Sequence, residues 1–444
     1  MKNEVLELGL FDFKDPVGKD FSTRCEPFMD WVDAASREGY FQFLRHHVDT
    51  PREMTEVVGW GGQAYSGINL ASQDYLGLAR HPEVVRASAD ATLEKGTHSS
   101  GSETLGGGFG EAKRLERIVA DFTDHPHVVL FPTGWSAGYG AIRALVRPHD
   151  VVLMDALAHN CLQHGAQAST PNVATFSHND MDSLESRLRR ARNERPDAAI
   201  LVVTESLFSM DSDHPDFERM IRLCDDHGAA LMVDVAHDLG VLGPGGRGVL
   251  HETGLLDRVP FLVGSFSKTF ASIGGFFAAR HRGPTLYARG FSGSYTFSNY
   301  LVPSQVAAVT AAFEIVASDE GRQLRRRALE NAAVLRDALA EQGVPALGRV
   351  SSLVLPVIGP EPIARVAYRH CLEHGLILNN IEFPACRRGE ARFRMQVTPL
   401  HTTDQMRSAA RIVRKSLDHA RASLGSGSGP AAAGVSAIDT HIPA

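Results

Sequence analysis

Short apolar runs and helix-length segments alternate along the chain from about residue 69 to residue 300. Apolar runs of this length predict strands buried on both faces, and a helix between successive strands is the connection that parallel strands require. The pattern therefore predicts an α/β fold with a mainly parallel sheet in a large domain. The seven predicted strands cover residues 127–131, 151–154, 173–176, 199–203, 230–233, 261–263 and 275–279.

Patterns outside this region predict smaller elements. Turn-forming glycines within 59–69 predict a hairpin of two short strands, and helical periodicity over 302–342 predicts one long connecting helix. Strands near 352–357 and 392–397, followed by a helix over 403–423, predict a small C-terminal α+β domain. The predicted segments are an N-terminal arm (1–68), a large cofactor-binding domain (69–300), a connecting helix with the small domain (301–423) and a Gly/Ser-rich disordered tail (424–444).

The composition excludes several classes of partner. Of the 444 residues, 43% are hydrophobic and 22% are charged, and the net charge is −7 without a dense run of Lys or Arg, so nucleic acid is not an expected partner. No stretch reaches the roughly 20 apolar residues of a membrane-spanning helix. The five cysteines are scattered, and pairs such as His46-His47 have no companion ligands, so we expect neither disulfides nor a metal site. A cytoplasmic location is the expectation.

Chemically capable side chains follow the predicted strands, at the ends where a doubly wound sheet binds its ligands. None of these side chains is decisive on its own. Their recurrence after successive strands predicts one shared site, composed of Thr133, Gly134, Trp135, Asp155, His159, His178, Glu205, Ser209, Asp234, His237, Ser265 and Lys268.

Lys268 and Asp234 are the members that indicate a particular chemistry. Lys268 follows an uncharged strand and has hydroxyl residues at 265 and 267, while Asp234 ends another apolar run. A lysine that forms a Schiff base and an acid that keeps a pyridine nitrogen protonated are what pyridoxal phosphate (PLP) requires. In isolation Lys268 is more readily read as a surface lysine, and Asp234 is open to a reading as a helix cap. Their occurrence together with His237 favours the cofactor roles.

Two histidines and a helix start extend the predicted cofactor site. His237 is expected to donate to the phenolic oxygen of the cofactor and His159 to stack on its ring, with structural and surface histidines as the alternatives. Thr133-Gly134-Trp135 opens a predicted helix. Its N–H groups and hydroxyl predict a phosphate site, and ordinary turn chemistry is the alternative there.

A predicted strand of the small domain carries two arginines. Alternation over 391–397 places Arg392 and Arg394 on one face of that strand. An inward-facing Arg394 is suited to bind a substrate carboxylate through two hydrogen bonds. Two solvated arginines are an equally weighted reading of the same pattern.

The segments that carry these residues resemble the α-oxoamine synthases, a family of PLP enzymes with the aspartate-aminotransferase fold (fold type I). The resemblance runs from about residue 69 to residue 412. It implies a homodimer with the active site at the subunit interface. The motifs are Gln73-Asp-Tyr-Leu-Gly-Leu78, Leu130-Phe-Pro-Thr-Gly-Trp135, Asp155-Ala-Leu-Ala-His159, Ser177-His-Asn-Asp180, Thr204-Glu-Ser-Leu-Phe-Ser-Met-Asp211, Val233-Asp-Val-Ala-His237, Gly245-Gly-Arg-Gly248, Ser265-Phe-Ser-Lys268 and Ala391-Arg-Phe-Arg394 with His401-Thr402.

The resemblance also implies a role for each matching residue. Lys268 takes the Schiff-base role and Asp234 pairs with the ring nitrogen. His237 contacts the ring oxygen, His159 stacks on the ring, and Arg394 binds the substrate carboxylate. The further implied cofactor contacts are Gly134, Trp135 and Ser265 at the phosphate, Ser298 reaching the phosphate from the partner subunit, and Thr133, Glu205 and Ser209.

Three positions depart from the family pattern. Gln73 stands where many members have Asn, whose side chain is one methylene shorter and contacts the carboxylate of the amino acid. Glu103 occupies a position where an Arg or a small residue is usual, and Trp135 replaces the commoner Phe or Tyr. These changes leave the cofactor chemistry intact and affect the choice of substrate.

The implied reaction is a decarboxylating Claisen condensation. Glycine, alanine or serine joins an acyl thioester, presented by CoA or an acyl carrier protein, to give an α-amino ketone. A PLP-dependent aminotransferase or amino-acid C–C lyase of the same fold is the alternative, and a catalytically silent subunit is a third reading. The presence of Lys268, Asp234, His237 and His159 together argues against a silent chain.

Overall fold

The computed structural model describes residues 2–425, so nearly all of the predicted tail (424–444) lies outside the described residues. The chain divides into two compact units. The large unit comprises Gln73–Ser209 and Asp213–Arg326, and the small unit comprises the described parts of Met1–Ser72, Met210–Ser212 and Arg327–Ala444. The four segments expected from the sequence remain a prediction about domain organisation.

Strands and helices alternate through most of the described chain. The strands are β1 (His46–His47), β2 (Met54–Val58), β3 (Ala64–Asn69), β4 (His127–Phe131), β5 (Val151–Asp155), β6 (Val173–Phe176), β7 (Ile200–Glu205), β8 (Ala229–Asp234), β9 (Phe261–Ser265), β10 (Gly275–Ala279), β11 (Leu353–Val354), β12 (Val357–Gly359), β13 (Leu376–Ile377), β14 (Asn379–Ile381) and β15 (Ala391–Gln396). The α-helices are α1 (Lys2–Glu7), α2 (Glu26–Arg37), α3 (Pro82–Lys95), α4 (Gly110–Thr123), α5 (Gly134–Leu145), α6 (Asn160–Gln167), α7 (Met181–Glu194), α8 (Phe217–Asp226), α9 (Val249–Glu252), α10 (Arg282–Phe291), α11 (Gly293–Thr296), α12 (Pro303–Ala317), α13 (Asp319–Glu341), α14 (Glu361–Glu373) and α15 (Thr403–Leu424).

The large unit contains a seven-stranded sheet with the order β4-β10-β9-β8-β7-β5-β6. Strands β5 to β9 pair in parallel, whereas β10 pairs antiparallel with both of its neighbours, β4 and β9. The predicted mainly parallel, seven-stranded sheet is therefore confirmed. Its central strands are apolar up to the polar residues at their carboxyl ends, because helices cover them: α5 packs on β9 and β10, α7 on β5 and β6, and α8 on β8.

The small unit is built from two short sheets and long helices. One sheet has the order β1-β2-β3-β13, in which the parallel pair β3–β13 aligns Ile68 with Leu376. In the other sheet, β15 pairs with β11, β12 and β14. Helices α14 and α15 pack together, and the core of this unit includes Leu335, Tyr368, Leu376, Phe393, Met406 and Val413.

Two predicted elements of the sequence are wrong in detail. The strands of the hairpin lie on either side of the segment Gly59–Gln63 rather than both within 59–69, because the half-exposed strand β2 lacks a continuous apolar run. The predicted helix over 302–342 is two helices, since Ser318 adopts extended backbone (ψ 176°) between them. The Ser318 hydroxyl accepts a hydrogen bond from the Gly321 N–H at 3.3 Å and so caps α13. No helix within residues 2–425 has the length and apolar character needed to cross a membrane.

Candidate active site

Acidic and hydroxyl side chains end four neighbouring strands of the large sheet. Asp155, Glu205, Asp234 and Ser265 are the last residues of β5, β7, β8 and β9. Glu205 and Asp234 are direct partners in the register of β7 and β8, which places them on adjacent strands about 4.8 Å apart. The structure thus brings these predicted site residues to one edge of the sheet.

Lys268 interacts electrostatically with this pair of carboxyl groups. Burial raises the pKa of Glu205 well above its ordinary value, Asp234 raises it further, and Lys268 opposes both effects. Burial also raises the pKa of Asp234, whereas Lys268 and His159 lower it. Glu205 is only 4% exposed, so its carboxyl group holds its proton more tightly than a solvated one does. Lys268 supplies positive charge to a cluster that otherwise favours neutral acids.

The segment after β9 fixes the backbone of Lys268. The Phe266 N–H donates to the Gly274 carbonyl at 2.9 Å, and the Ala271 N–H donates to the Lys268 carbonyl at 3.0 Å. The hydroxyls of Ser265 and Ser267 lie 2.7 Å apart. The lysine therefore leaves the sheet from a tight, hydrogen-bonded turn.

The start of helix α5 packs directly against the end of β9. Thr133 caps the helix, because its hydroxyl accepts from the Ser136 N–H at 3.0 Å. A Cβ on Gly134 would lie 2.5 Å from both the Cβ and the Oγ of Ser265, and one on Gly275 would lie 2.6 Å from the Gly134 Cα. Only glycine allows this approach, which places the N–H groups of the first turn beside the Ser265 hydroxyl. Helix N–H groups and a hydroxyl are the donors that a phosphate requires.

The two predicted histidines lie in different surroundings. His237 is buried, and its Nδ1 lies 2.8 Å from the hydroxyl of Tyr75. His159 is exposed at the start of α6, where its Nδ1 accepts from the Cys161 N–H at 3.3 Å. Trp135, also partly exposed, stacks on Tyr139 with ring centroids 5.2 Å apart and planes 13° apart. Their expected contacts with the cofactor, stacking by His159 and a hydrogen bond from His237, remain predictions.

A charged network supports the end of β5. Asp155 is fully buried and accepts hydrogen bonds from His178 Nδ1 at 2.8 Å and from the N–H groups of Leu157 at 2.9 Å and Asn179 at 3.0 Å. His178 Nε2 lies 3.1 Å from Asp213 Oδ2. This network holds the loop before His159 in place.

Three predicted residues of the large unit occupy less defined positions. Ser209, Gln73 and Ser298 are all half-buried. Gln73 directly precedes Asp74, whose carboxylate accepts from the Leu78 N–H at 2.8 Å and the Ala79 N–H at 2.9 Å. Their predicted contacts with cofactor and substrate remain predictions.

Glu103 is part of an ion-pair network, which explains how the chain accommodates this departure from the family pattern. It forms ion pairs with Lys113 and Arg289, and Arg289 also contacts Glu116 at 2.5 Å. An acid at position 103 is therefore compensated by basic neighbours within the large unit.

The two arginines of β15 differ in their contacts within the small unit. Arg392 is buried and donates from Nη1 to Asp211 at 2.6 Å and to the Met210 carbonyl at 2.9 Å. Arg394 is half-buried, and its Nη1 lies 3.8 Å from the Met210 sulfur. Both therefore face the same segment, as alternation predicts, and Arg392 has a structural role that the sequence did not indicate.

Tyr75 is a residue that the sequence did not single out as part of the site. It lies within the motif Gln73–Leu78, but its hydrogen-bond partner His237 is 162 positions away in the chain. No local pattern predicts such a contact.

Known proteins resemble this chain in sequence and in fold. Residues 65–413 match the family described as aminotransferase class I and II. A Mycobacterium tuberculosis protein named as an 8-amino-7-oxononanoate synthase is 36% identical over 77% of this chain, and the match spans 44% of that protein's length, less than half. The 8-amino-7-oxononanoate synthase of Alkaliphilus metalliredigens is 32% identical over 78% of this chain and 87% of its own length. A solved structure of a serine palmitoyltransferase from S. paucimobilis, which contains a bound PLP-myriocin aldimine, is similar in fold. The superposition has a TM-score of 0.84 at 26% sequence identity, and it spans 91% of this chain and 100% of the palmitoyltransferase chain.

The fold is that of the fold type I, PLP-dependent transferases. Within that class, the chain belongs to the α-oxoamine synthase family, whose members are PLP-dependent C-acyltransferases.

The residues at the sheet edge fit PLP. The close approach of Gly134, Ser265 and Gly275 forms a cradle that a Cβ would fill, and it presents donors for a phosphate. A lysine lies within electrostatic reach of Asp234 at the ends of adjacent strands, which suits a Schiff base and a pyridinium nitrogen. The chemistry of the donor set therefore agrees with the cofactor of the family.

Proposed function

We propose that the enzyme condenses glycine, alanine or serine with an acyl thioester, presented by CoA or an acyl carrier protein. Thiol and carbon dioxide leave, and an α-amino ketone is released. The observation that carries this proposal is the interaction of Lys268 with Asp234 and Glu205 at the ends of parallel strands. The names of the relatives, 8-amino-7-oxononanoate synthase and serine palmitoyltransferase, support the reaction type.

Residues of the large unit hold the cofactor in this proposal. Bound PLP withdraws electrons from the α-carbon of an amino acid attached to it. Lys268 carries the cofactor through its amine, Asp234 keeps a proton on the pyridine nitrogen, His237 donates to the phenolic oxygen and His159 stacks on the ring. The phosphate and flanking contacts come from Thr133, Gly134, Trp135, Ser265, Glu205 and Ser209, with Ser298 of the partner subunit.

Lys268 also moves the proton in this proposal. Once the amino acid has replaced it, its amine is released as a base beside the substrate α-carbon. Loss of a proton from an ammonium is easier near a cationic group, so Lys268 takes up the α-proton and returns it after decarboxylation.

Arg394 orients the substrate in this proposal. Arg392 is committed to Asp211, so Arg394 is the arginine of β15 assigned to the substrate carboxylate, with Gln73 as a second contact. A carboxylate held in a fixed direction aligns the bond that breaks, which is catalysis by orientation.

We further propose a homodimer in the cytoplasm. Leu105 and Phe297 are 86% and 91% exposed. A hydrogen bond from the Tyr300 N–H to the Gly101 carbonyl at 3.0 Å links the two segments that carry these side chains. Neighbouring apolar side chains with this exposure favour burial by a second copy. All five cysteines are unpaired thiols, which suits a reducing compartment.

Visible absorbance of the PLP-loaded protein tests the proposed reaction. One of the three amino acids is expected to perturb the band of the lysine-bound cofactor, and a matching acyl-CoA is expected to give thiol and carbon dioxide. Bleaching by amino acid alone, with recovery on addition of an α-keto acid, would identify an aminotransferase instead. Release of an aldehyde without thioester would identify a C–C lyase.

A pair of lysine variants assigns the band to its residue. Lys268→Ala is expected to lose the band and all turnover, because no other group replaces the Schiff-base amine. Lys415→Ala, at an exposed position of α15, is the matched control and is expected to keep both. Retention of the band in Lys268→Ala would refute the site.

A further inference from the structure

Tyr75 forms a buried side-chain contact with the histidine assigned to the cofactor. Its side chain is 0% exposed, and its hydroxyl oxygen lies 2.8 Å from His237 Nδ1. The two rings are 6.2 Å apart with an angle of 40° between their planes, so the contact is made through the hydroxyl and not by stacking. Replacing Tyr by Phe therefore removes this contact while leaving the apolar packing in place.

The backbone around Tyr75 is fixed independently of His237. The preceding residue, Asp74, accepts hydrogen bonds from the N–H groups of Leu78 and Ala79 and from the Gly77 N–H to its carbonyl at 3.0 Å. Tyr75 is thus held inside a closed turn. A rigid turn is suited to orient a partner side chain rather than to follow it.

The hydrogen bond between Tyr75 and His237 can run in either direction, and each direction goes with a different tautomer of the imidazole. A tyrosine hydroxyl keeps its proton at neutral pH, so it can donate to an unprotonated Nδ1. A neutral imidazole then has its proton on Nε2 and acts there as a donor. The opposite tautomer would leave Nε2 as an acceptor, which cannot donate to an anionic oxygen.

We propose that Tyr75 is a positioning residue that holds His237 in the tautomer with the proton on Nε2, ready to donate to the phenolic oxygen of PLP. This inference rests on the proposed function, in which His237 makes that contact. Tyr75 does not touch the cofactor in this role. It acts only by orienting the histidine and fixing its proton.

Tyr75→Phe tests this role by its effect on the pH titration of the visible band. A donor to the phenolic oxygen stabilises its negative charge, which weakens the hold of that oxygen on the proton of the lysine–cofactor linkage. Loss of the fixed donor is expected to raise the pKa of the linkage by roughly half a pH unit, about a threefold change in its protonation equilibrium. Turnover, as kcat/KM, is expected to fall about tenfold.

Tyr368→Phe is the matched control for this variant. Tyr368 is also buried, and its hydroxyl has no hydrogen-bond partner among the residues that the structure describes. The titration of Tyr368→Phe is expected to coincide with that of the unaltered enzyme. Melting temperatures of both variants show whether each has folded.

A double variant separates positioning from a general structural effect. If Tyr75 acts through His237, then Tyr75→Phe adds nothing to His237→Asn, and the double variant titrates as His237→Asn alone. Additive shifts, or an unchanged titration in a folded Tyr75→Phe protein, would overturn the proposal. A protein with unaltered sequence that shows no band with PLP would overturn the cofactor site itself, which is a different result.

Discussion

His178 is predicted to stabilise the large unit as a cation between two carboxylates. Burial alone lowers the pKa of His178, but its hydrogen bonds to Asp155 and Asp213 and their charges outweigh this effect and raise the pKa to about 10 from 6.5. At neutral pH the ring is therefore protonated and neutralises the buried Asp155. The substitution His178→Gln removes the positive charge that neutralises this carboxylate.

The size of the effect follows from the pKa and from the geometry. One pKa unit corresponds to about 1.4 kcal/mol, so the rise sets an upper bound of about 5 kcal/mol on the stabilisation. Breaking a buried ion pair costs about 3 to 5 kcal/mol, and the part of His178 that reaches solvent reduces this. We expect a loss of about 3 kcal/mol at pH values below 6.5.

The pH dependence has a definite sign. The folded pKa of His178 is raised, so its contribution is complete below its unfolded value of 6.5 and is lost as the pH rises towards about 10. Thermal unfolding of the PLP-loaded protein, followed by circular dichroism, measures this. The melting temperature of His178→Gln is expected to be about 6 to 12 °C lower near pH 6, and the deficit is expected to shrink at higher pH.

A histidine in an exposed ion pair provides the control. His149 is 73% exposed, and its Nε2 lies 3.2 Å from Asp150 Oδ1. His149→Gln is expected to change the melting temperature by less than about 2 °C, because exposed pairs contribute little. A deficit for His178→Gln that is absent near pH 6, or that grows as the pH rises, would refute the assigned charge.

Two further substitutions test close packing and buried charge. Gly134→Ala places a Cβ 2.5 Å from Ser265 and is expected to lower the free energy of unfolding by about 1 to 3 kcal/mol. It is also expected to lower PLP affinity at least tenfold in a fluorescence titration. Gly283→Ala is the control, because a Cβ at this position in the first turn of α10 has nothing within 4 Å, and it is expected to change neither quantity. Burial raises the pKa of Asp238 to about 6, so its stabilising contribution is present below about pH 3.8 and is lost as the pH rises to 6. Asp238→Asn is therefore expected to flatten the dependence of melting temperature on pH over this window. An unchanged slope would contradict the buried, protonated state assigned to Asp238.

The sequence predicted the large sheet well because its strands are continuous apolar runs. Strands β4, β6 and β10 have the predicted bounds, and each is bordered by polar or turn residues. The antiparallel direction of β10 was not predictable, because an apolar run has the same composition in either direction. The break at Ser318 was also missed, since helical periodicity continues on both sides and a single capping hydroxyl interrupts it.

The site was predictable where its residues follow strands and unpredictable where they meet through distant contacts. Glu205, Asp234 and Ser265 end their strands as expected. The pairing of Arg392 with Asp211 and the contact of Tyr75 with His237 join positions more than 150 residues apart, and neither has a local signature. The charge state of His178 was equally unpredictable from the sequence, because its protonation depends on two carboxylates from separate segments.

The parallel pairing of β3 with β13 has a consequence for synthesis on the ribosome. Ile68 of β3 aligns with Leu376 of β13, so the hairpin β2–β3 is synthesised about 300 residues before the strand that completes its pairing. At roughly 5 to 20 residues per second, that delay is about 15 to 60 s. During this time the outer edge of β3 is a nascent template with unpaired N–H and C=O groups. The order of translation therefore exposes this edge of the hairpin to non-native strand pairing until β13 has been made.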